Sequence, residues 1–412
     1  MDGDLTASGP HQPVDADGSV DSVGPDAAFE GGEPTVERFR SEATTWVAAN
    51  KQHAPVDYGP ILPPELVGPG RSWQRRLYDG GWAGVHWPTE YGGRGLTIEH
   101  QAAWLEVCAL AEVPPFINMV GFVLAGQGNL MYGTADQRGE HLEPIITADR
   151  LWCQLFSEPN AGSDLASLTT SAEADGDEWV VNGHKVWTSG ARYSDWGILM
   201  ARTNRSAPKH KGISFFLVDM HSPGIEVRPL RQMTGDAEFD EVFFTDVSLP
   251  ATALLGPENE GWNVGMAILT HERGSIGAAA ISTQRRLDSL VDLAEDGLDP
   301  SQLDRLSSML SRGKAYAFMG NRQGPHASLS SSLNKLGITE LMFDTAELRA
   351  DIAGAESMLR GSSVNSLLAA PGGRIAGGSS QVQRNIIGER ILGLPKEPRV
   401  DKPESAPRPN RD

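Results

Sequence analysis

The hydrophobic period of this chain changes twice along its length, and that change restricts the fold more than any other feature. From Thr35, apolar residues recur at spacings of three and four through Phe39, Ala43, Trp46 and Val47, the period of a helix with one buried face. Trp73, Leu77 and Tyr78 continue the pattern, and Gln101 to Val113 forms a further amphipathic stretch, with helix expected to about residue 140. The spacing then shortens. Leu151–Phe156, Glu178–Gly183, Gly197–Arg202, Gly212–Asp219 and Glu241–Asp246 are brief runs rich in Val, Ile and Phe, punctuated by Asn, Gly, Asp and Pro. That pattern predicts a compact antiparallel sheet unit, with a turn ending the strand at Gly183. Helical spacing returns at Trp262, predicting one long helix over 262–295 and further helices over 301–321 and 327–369. Breaks at Pro371-Gly-Gly373 and Gly377-Gly378 precede a last helix over 381–392. The order is α, then β, then α.

Charge narrows the function classes. The 412 residues carry 35 Lys+Arg against 54 Asp+Glu, a formal net charge of −19. Residues 1–33 hold eight acids and no Lys or Arg, so residues 1–34 read as a disordered acidic tail. Such a field repels polyanions, so no nucleic-acid partner is expected. No apolar run reaches the ~18 residues that would span a bilayer, and no signal peptide opens the sequence. Two cysteines, Cys108 and Cys153, provide neither metal-ligand spacing nor a disulfide framework, and a cytoplasmic location is the expectation.

Generic motifs are missing. There is no G-x-G-x-x-G after a strand, no P-loop and no G-x-S-x-G elbow. His271-Glu272 begins like a zincin helix, but position 275 is Ser, so no metal site is expected. Four other segments are specific. They are Phe156-Ser-Glu-Pro-Asn-Ala-Gly-Ser-Asp164, Gly183-His-Lys-Val-Trp-Thr-Ser-Gly190, Thr270-His-Glu-Arg-Gly274 and Gly377-Gly-Ser-Ser-Gln-Val-Gln-Arg-Asn385. The second reads as a hairpin-like turn.

In this order, joined by Trp87-Pro-Thr-Glu-Tyr-Gly-Gly93 and Gln232-Met-Thr-Gly-Asp236, these segments resemble the acyl-CoA dehydrogenase family over about residues 35–398. The pattern is most similar to actinobacterial members that act on sterol side chains or other bulky acyl-CoAs. The resemblance implies an α+β fold. Its parts would be an N-terminal α-helical domain (35–148), a middle antiparallel β domain (149–258) and a C-terminal four-helix-bundle-like α domain (259–398), with a mobile tail over 399–412. It also implies FAD as cofactor and formation of a 2,3-enoyl-CoA. In that reaction a carboxylate removes the α-proton of the thioester while the β-hydrogen leaves as hydride to flavin N5. Donors near the thioester oxygen stabilise the developing enolate.

Residue roles follow by the same resemblance. Phe156, Ser157, Trp187 and Ser189 would contact the flavin, and Ser163 would bond the pantetheine arm of CoA. Glu272 would be the catalytic base and Arg273 would orient the site or the ligand. Most members carry the base where Gly377 stands here, whereas a smaller group carries a Glu-Arg pair on the long helix, as at Glu272-Arg273. The Gly377 backbone N–H would still polarise the thioester carbonyl, and Ser379 and Gln381 would contact FAD. Each residue also has an ordinary reading. Ser163 or Asp164 could cap a helix, and Trp187 with Ser189 could be core and hairpin. Glu272 and Arg273 could be a solvated face and an ion pair, and Ser379 or Gln381 could cap the last helix.

The second half departs from the family. An Arg-x-x-Phe-Gly segment and a Gln-x-x-Gly-Gly, which reach FAD of a neighbouring subunit in many members, are not evident. Met319-Gly-Asn-Arg-Gln-Gly-Pro-His326, Ser332-Leu-Asn-Lys-Leu336 and Asp351-Ile-Ala-Gly-Ala-Glu356 stand in that region, and Arg322 could replace the pyrophosphate cation. A homo-oligomer and an α2β2 heterotetramer with a paralogous subunit are both implied as assemblies. Electron-transfer flavoprotein is implied as acceptor. Two other readings remain: a non-catalytic or co-catalytic subunit of a heteromeric enzyme, and a flavin oxidase or monooxygenase on the same fold.

Overall fold

A computed structural model describes residues 33–56, 61–272, 276–294, 297–320 and 327–396. Most of the expected acidic tail, the tail over 399–412, Arg273 and Arg322 lie outside the described residues.

The chain begins with helices α1 (Val36–Asn50), α2 (Val67–Asp79) and α3 (Ile98–Ala111). A π-helical stretch, Val120–Gly126, runs directly into α4 (Gln127–Tyr132), and α5 (Ala135–Thr147) follows. Thr35 caps α1, its hydroxyl accepting from the Arg38 N–H, and Phe39, Ala43 and Val47 are the buried positions that the helical period predicted. A capping box between Thr134 and Gln137 starts α5. Trp46, Trp73, Trp82 and Trp104 pack among these helices, with Trp82 and Trp104 stacked at 5.3 Å.

Seven strands follow: β1 (Trp152–Leu155), β2 (Ser171–Asp175), β3 (Glu178–Ser189), β4 (Trp196–Arg202), β5 (Ile213–Asp219), β6 (Ile225–Leu230) and β7 (Phe239–Pro250). β2, β3, β7 and β6 are joined in antiparallel order, and β5 pairs antiparallel with β4. Two pairings are parallel instead. β1 runs alongside β4, and a single pair, Ser171 with Arg202, joins β2 to β4. Strict alternation divides the sheet between two cores. Ile198, Met200, Phe215 and Leu217 face the N-terminal helices and α6 (Gly261–Glu272), whereas Leu199, Ala201, Phe216 and Val218 face the opposite core.

The turn expected at Gly183 is not a turn. β3 continues through it to Ser189, with two register shifts against β7, at Val181/Gly183 and at Lys185/Thr188. The first shift places its extra residue in β7 and the second in β3, and the pair bends without β3 ending. A Cβ at Gly183 would lie 2.7 Å from Thr170 Cα, so that close approach, not a reversal, accounts for the glycine. β2 and β6 escaped the sequence reading because both are short and largely exposed.

The single helix expected over 262–295 is described as α6 and α7 (Ile276–Leu293). α8 (Pro300–Gly320), α9 (Ala327–Ala353), α10 (Ser362–Ile375) and α11 (Ser380–Ile386) complete the chain, α11 passing into a π-helical turn at Ile387–Ile391. α9 packs against α7, α8, α10 and α11, with Leu287, Leu290, Leu306, Met309, Leu341 and Leu348 at the centre. The break expected at Pro371-Gly-Gly373 does not occur, because those residues fall in the last turns of α10. Among the described residues no helix is long and apolar enough to cross a membrane.

Candidate functional site

β1 delivers Phe156 and Ser157 to the side of the bulged part of β3. The Val186 N–H donates to the Ser157 carbonyl at 2.9 Å, so the segment beginning Phe156 and the segment ending Gly190 lie edge to edge. Beneath this contact Lys185 is completely buried, and its ammonium donates to the Phe156 carbonyl (3.0 Å) and to Glu158 Oε1 (2.9 Å). Glu158 also accepts from the Thr169 N–H (2.7 Å), the Thr169 hydroxyl (2.8 Å) and the Thr170 N–H (2.9 Å). Burial opposes its charge, but the Lys185 ammonium and these donors outweigh burial and hold the carboxyl at about 2. Burial also brings Lys185 down to about 8, opposed by Glu158, so the pair is ionised at neutral pH. Neither residue was singled out in the sequence. Both lie inside strings that were, 27 positions apart, and only the fold pairs them.

The bulge at the end of β3 exposes an aromatic ring. Trp187 has φ +60, a left-handed conformation uncommon for a residue of its size, is 56% exposed, and meets Phe239 edge-on at 5.8 Å. The core-tryptophan reading therefore fails for Trp187. Ser189 is half-buried next to it, as is Ser157, and Phe156 is buried against Phe215 at 5.6 Å. An indole held outward at a cost in backbone strain, on the bulge that meets the Ser157 backbone, fits a flat ligand.

Ser163 is exposed and caps nothing. Asp164 precedes the short 3-10 turn Leu165–Ser167, and its carboxylate accepts from the Ser167 hydroxyl and from Lys209. Glu272 is the last residue of α6.

Gly377, Ser379 and Gln381 occupy the turn that opens α11. Gly377 and Gly378 have φ +65 and +94, conformations that glycine adopts freely. Ser379 is the N-cap of α11, its hydroxyl accepting from the Val382 N–H at 3.4 Å, whereas Gln381 is exposed. Both glycine carbonyls are held inward. Gln383 Nε2 donates to the Gly377 carbonyl at 3.0 Å, and the Lys335 ammonium donates to the Gly378 carbonyl at 2.6 Å. Glu340 gathers the Ser380 hydroxyl (2.7 Å), Arg374 (2.9 Å) and Arg384 (3.9 Å) behind the turn. Burial works against its charge, but these partners hold its carboxyl below the usual range. Among the described residues no hydrogen bond or ion pair joins this turn to the group around Trp187.

Both groups lie in segments matched by family models. The family model for the acyl-CoA dehydrogenase N-terminal domain matches residues 37–149, that for the middle domain 153–247, and that for the C-terminal domain 311–392. The chain is 39% identical over 380 residues to acyl-CoA dehydrogenase IpdE1 of Mycobacterium tuberculosis, covering 88% of this chain and 98% of that one. The solved Tcur3481-Tcur3483 steroid ACAD superposes with a TM-score of 0.75 at 27% identity, covering 89% of this chain and 99% of its own. The ChsE4-ChsE5 complex of Mycobacterium tuberculosis gives 0.72 at 27% identity, covering 89% and 100%. With three family models matched in chain order across a helix–sheet–helix fold, this chain is a member of the acyl-CoA dehydrogenase family.

Proposed function

We propose that the chain carries out FAD-dependent α,β-dehydrogenation of a bulky, steroid-derived acyl-CoA thioester, giving the 2,3-enoyl-CoA. The observation that carries this reading is Trp187, exposed on a left-handed backbone next to Val186, whose N–H bonds the Ser157 carbonyl. Phe156, Ser157, Trp187 and Ser189 would hold the flavin, joined by Ser379 and Gln381. When bound, FAD supplies the two-electron acceptor for the β-hydrogen. The remaining work falls to side chains and backbone. Glu272 removes the α-proton, with Arg273 beside it in sequence orienting the thioester. The Gly377 N–H donates to the thioester oxygen, where negative charge develops. Gln383 and Lys335 fix the direction of that turn by engaging its two carbonyls. Ser163, left exposed and uncapped, is available to the pantetheine arm.

The names of two solved relatives pair two chains, Tcur3481-Tcur3483 and ChsE4-ChsE5, which supports assembly with a paralogous subunit. In this reading the assembly is an α2β2 heterotetramer and electron-transfer flavoprotein is the acceptor. The reading is tested by anaerobic addition of a steroid-derived acyl-CoA to the purified flavoprotein. The expected result is bleaching of the flavin band in the wild type. Glu272→Gln is expected to retain flavin while reduction slows by about 10²–10⁴-fold. Reduction at the wild-type rate in that variant removes Glu272 from the mechanism. Hydrogen peroxide formed stoichiometrically in air would favour an oxidase on the same fold.

A further inference from the structure

One face of the C-terminal helices gathers arginines without acidic partners. Arg349 on α9 donates to the Ser289 hydroxyl on α7 at 2.9 Å and to the Ser362 hydroxyl at the start of α10 at 3.4 Å. The Ser289 hydroxyl in turn donates to the Arg286 carbonyl at 2.8 Å, so Arg286 lies at the same α7–α9 contact. Arg360 stands two residues before Ser362, and both Arg286 and Arg360 are exposed. Among the described residues no carboxylate pairs with any of these arginines. Asp288 instead accepts from Gln284 at 2.9 Å, Asp344 pairs with Arg312, and Asp351 pairs with Arg305. Partial desolvation and the like charge of Arg349 lower the pKa of Arg286, with no acid to oppose them.

In a chain with net charge −19, arginines left unpaired while acids are in excess mark a surface that suits an anionic group. A guanidinium forks onto a carboxylate through two parallel N–H bonds, and an added carboxylate relieves the repulsion between Arg286 and Arg349. No side chain caps α10, so its first N–H groups add positive partial charge beside Ser362. Residues 1–33 can supply the acids. They hold Asp2, Asp4, Asp15, Asp17, Asp21, Asp26, Glu30 and Glu33, and no Lys or Arg. Their length suffices. The Pro34 carbonyl is 2.8 Å from His100 Nε2, near the start of α3. α3 rises about 20 Å along its 14 residues, and at its far end Glu112 meets Arg285, the neighbour of Arg286, at 2.8 Å. Residues 15–33 span about 60 Å when extended, enough to pass α3 and reach α9 and α10.

We infer that the acidic segment 1–33 docks on Arg286, Arg349 and Arg360 of its own chain. Valence favours this occupant over a free anion. The aspartates at 15, 17, 21 and 26 engage several guanidiniums at once, and the tether raises their local concentration to about the millimolar range. The contact is independent of the reaction proposed above, since none of its residues belongs to the candidate site.

The test uses the full chain. Endoproteinase Asp-N, which cuts before aspartate, is expected to cleave within residues 15–26 about fivefold or more slowly in the wild type than in Arg286→Gln combined with Arg349→Gln, at about 0.02 M salt. Salt at about 0.5 M is expected to erase that difference, because screening shortens the reach of each charge to a few ångströms. Arg286→Gln alone gives up no side-chain hydrogen bond among the described residues, so the fold is retained, and cleavage is expected to speed up about twofold. Arg286→Lys adds an independent readout. A water-soluble carbodiimide is expected to couple the introduced amine to an acid within residues 1–33 of the same chain, read by mass spectrometry of the single-chain band. Equal cleavage of the wild type and both Gln variants at low salt overturns the inference. So does the absence of a cross-link, or one formed only to another chain or to acids after residue 33.

Discussion

Glu158 carries more of the local architecture than its place in a loop suggests. Its carboxylate accepts four bonds, and its partner Lys185 also holds the Phe156 carbonyl, so one buried charge pair fixes two segments of the site. The carboxyl is held at about 2 against an ordinary 4.5, so the folded form binds the proton less readily than the unfolded form. The corresponding stability is present above pH 4.5 and is lost as pH falls toward 2, amounting to roughly 3 kcal/mol. Denaturant melts from pH 6 to 2 are expected to show this loss in the wild type and a shallower one in Glu158→Gln. Parallel profiles would assign acid unfolding to other carboxyls. Trp187 gives a contrasting prediction. Glycine tolerates φ +60 without a Cβ clash, so Trp187→Gly should relieve about 1–2 kcal/mol of strain while flavin retention falls. If stability and flavin content fell together, the tryptophan would be holding the strand rather than the ligand.

At the scale of elements, the Gly377-Gly378 turn depends on a helix distant in sequence. Lys335 on α9 donates to the Gly378 carbonyl and, at 3.4 Å, to the Arg374 carbonyl at the end of α10. Lys335→Met leaves those acceptors without the ammonium and is expected to cost about 1–3 kcal/mol. If the turn positions the thioester donor, kcat falls more than KM rises, and Lys335→Arg restores part of the loss. A loss of stability with unchanged kcat would make the contact structural only. Sequence reading missed this dependence because Lys335 lies in a string recognised only as a departure from the family. Its partner carbonyls belong to backbone, which no side-chain pattern reports. β3 teaches a similar lesson. Glycine at 183 signalled a turn, yet it admits Thr170 against a continuing strand, and only the pairing of β3 with β7 distinguishes the two.

For the whole molecule, the C-terminal helices leave large apolar side chains in solvent. Phe318, Met358, Leu359, Ile375, Leu392 and Leu394 are each at least 55% exposed. The proposed assembly with a second subunit accounts for such side chains on one unit of a chain with net charge −19. Met358→Glu combined with Leu359→Glu is expected to shift the protein toward monomer in sedimentation velocity without lowering its helix content. An unchanged assembly would place the interface elsewhere.

Periodicity alone was sufficient for the helix–sheet–helix order, because Phe39, Ala43 and Val47 or the alternating residues of β4 and β5 each report locally which face is buried. Motif strings were sufficient for the family, since Phe156–Asp164 and Gly377–Asn385 stand in the order that the resemblance requires. What the tertiary structure decided was pairing across distance. Lys185 meets Glu158, Lys335 meets Gly378, and Gln101 and Gln127 meet on opposite sides of His86. A buried polar group must find a partner somewhere, but its own neighbours in sequence do not say where, and only the packed fold closes that account.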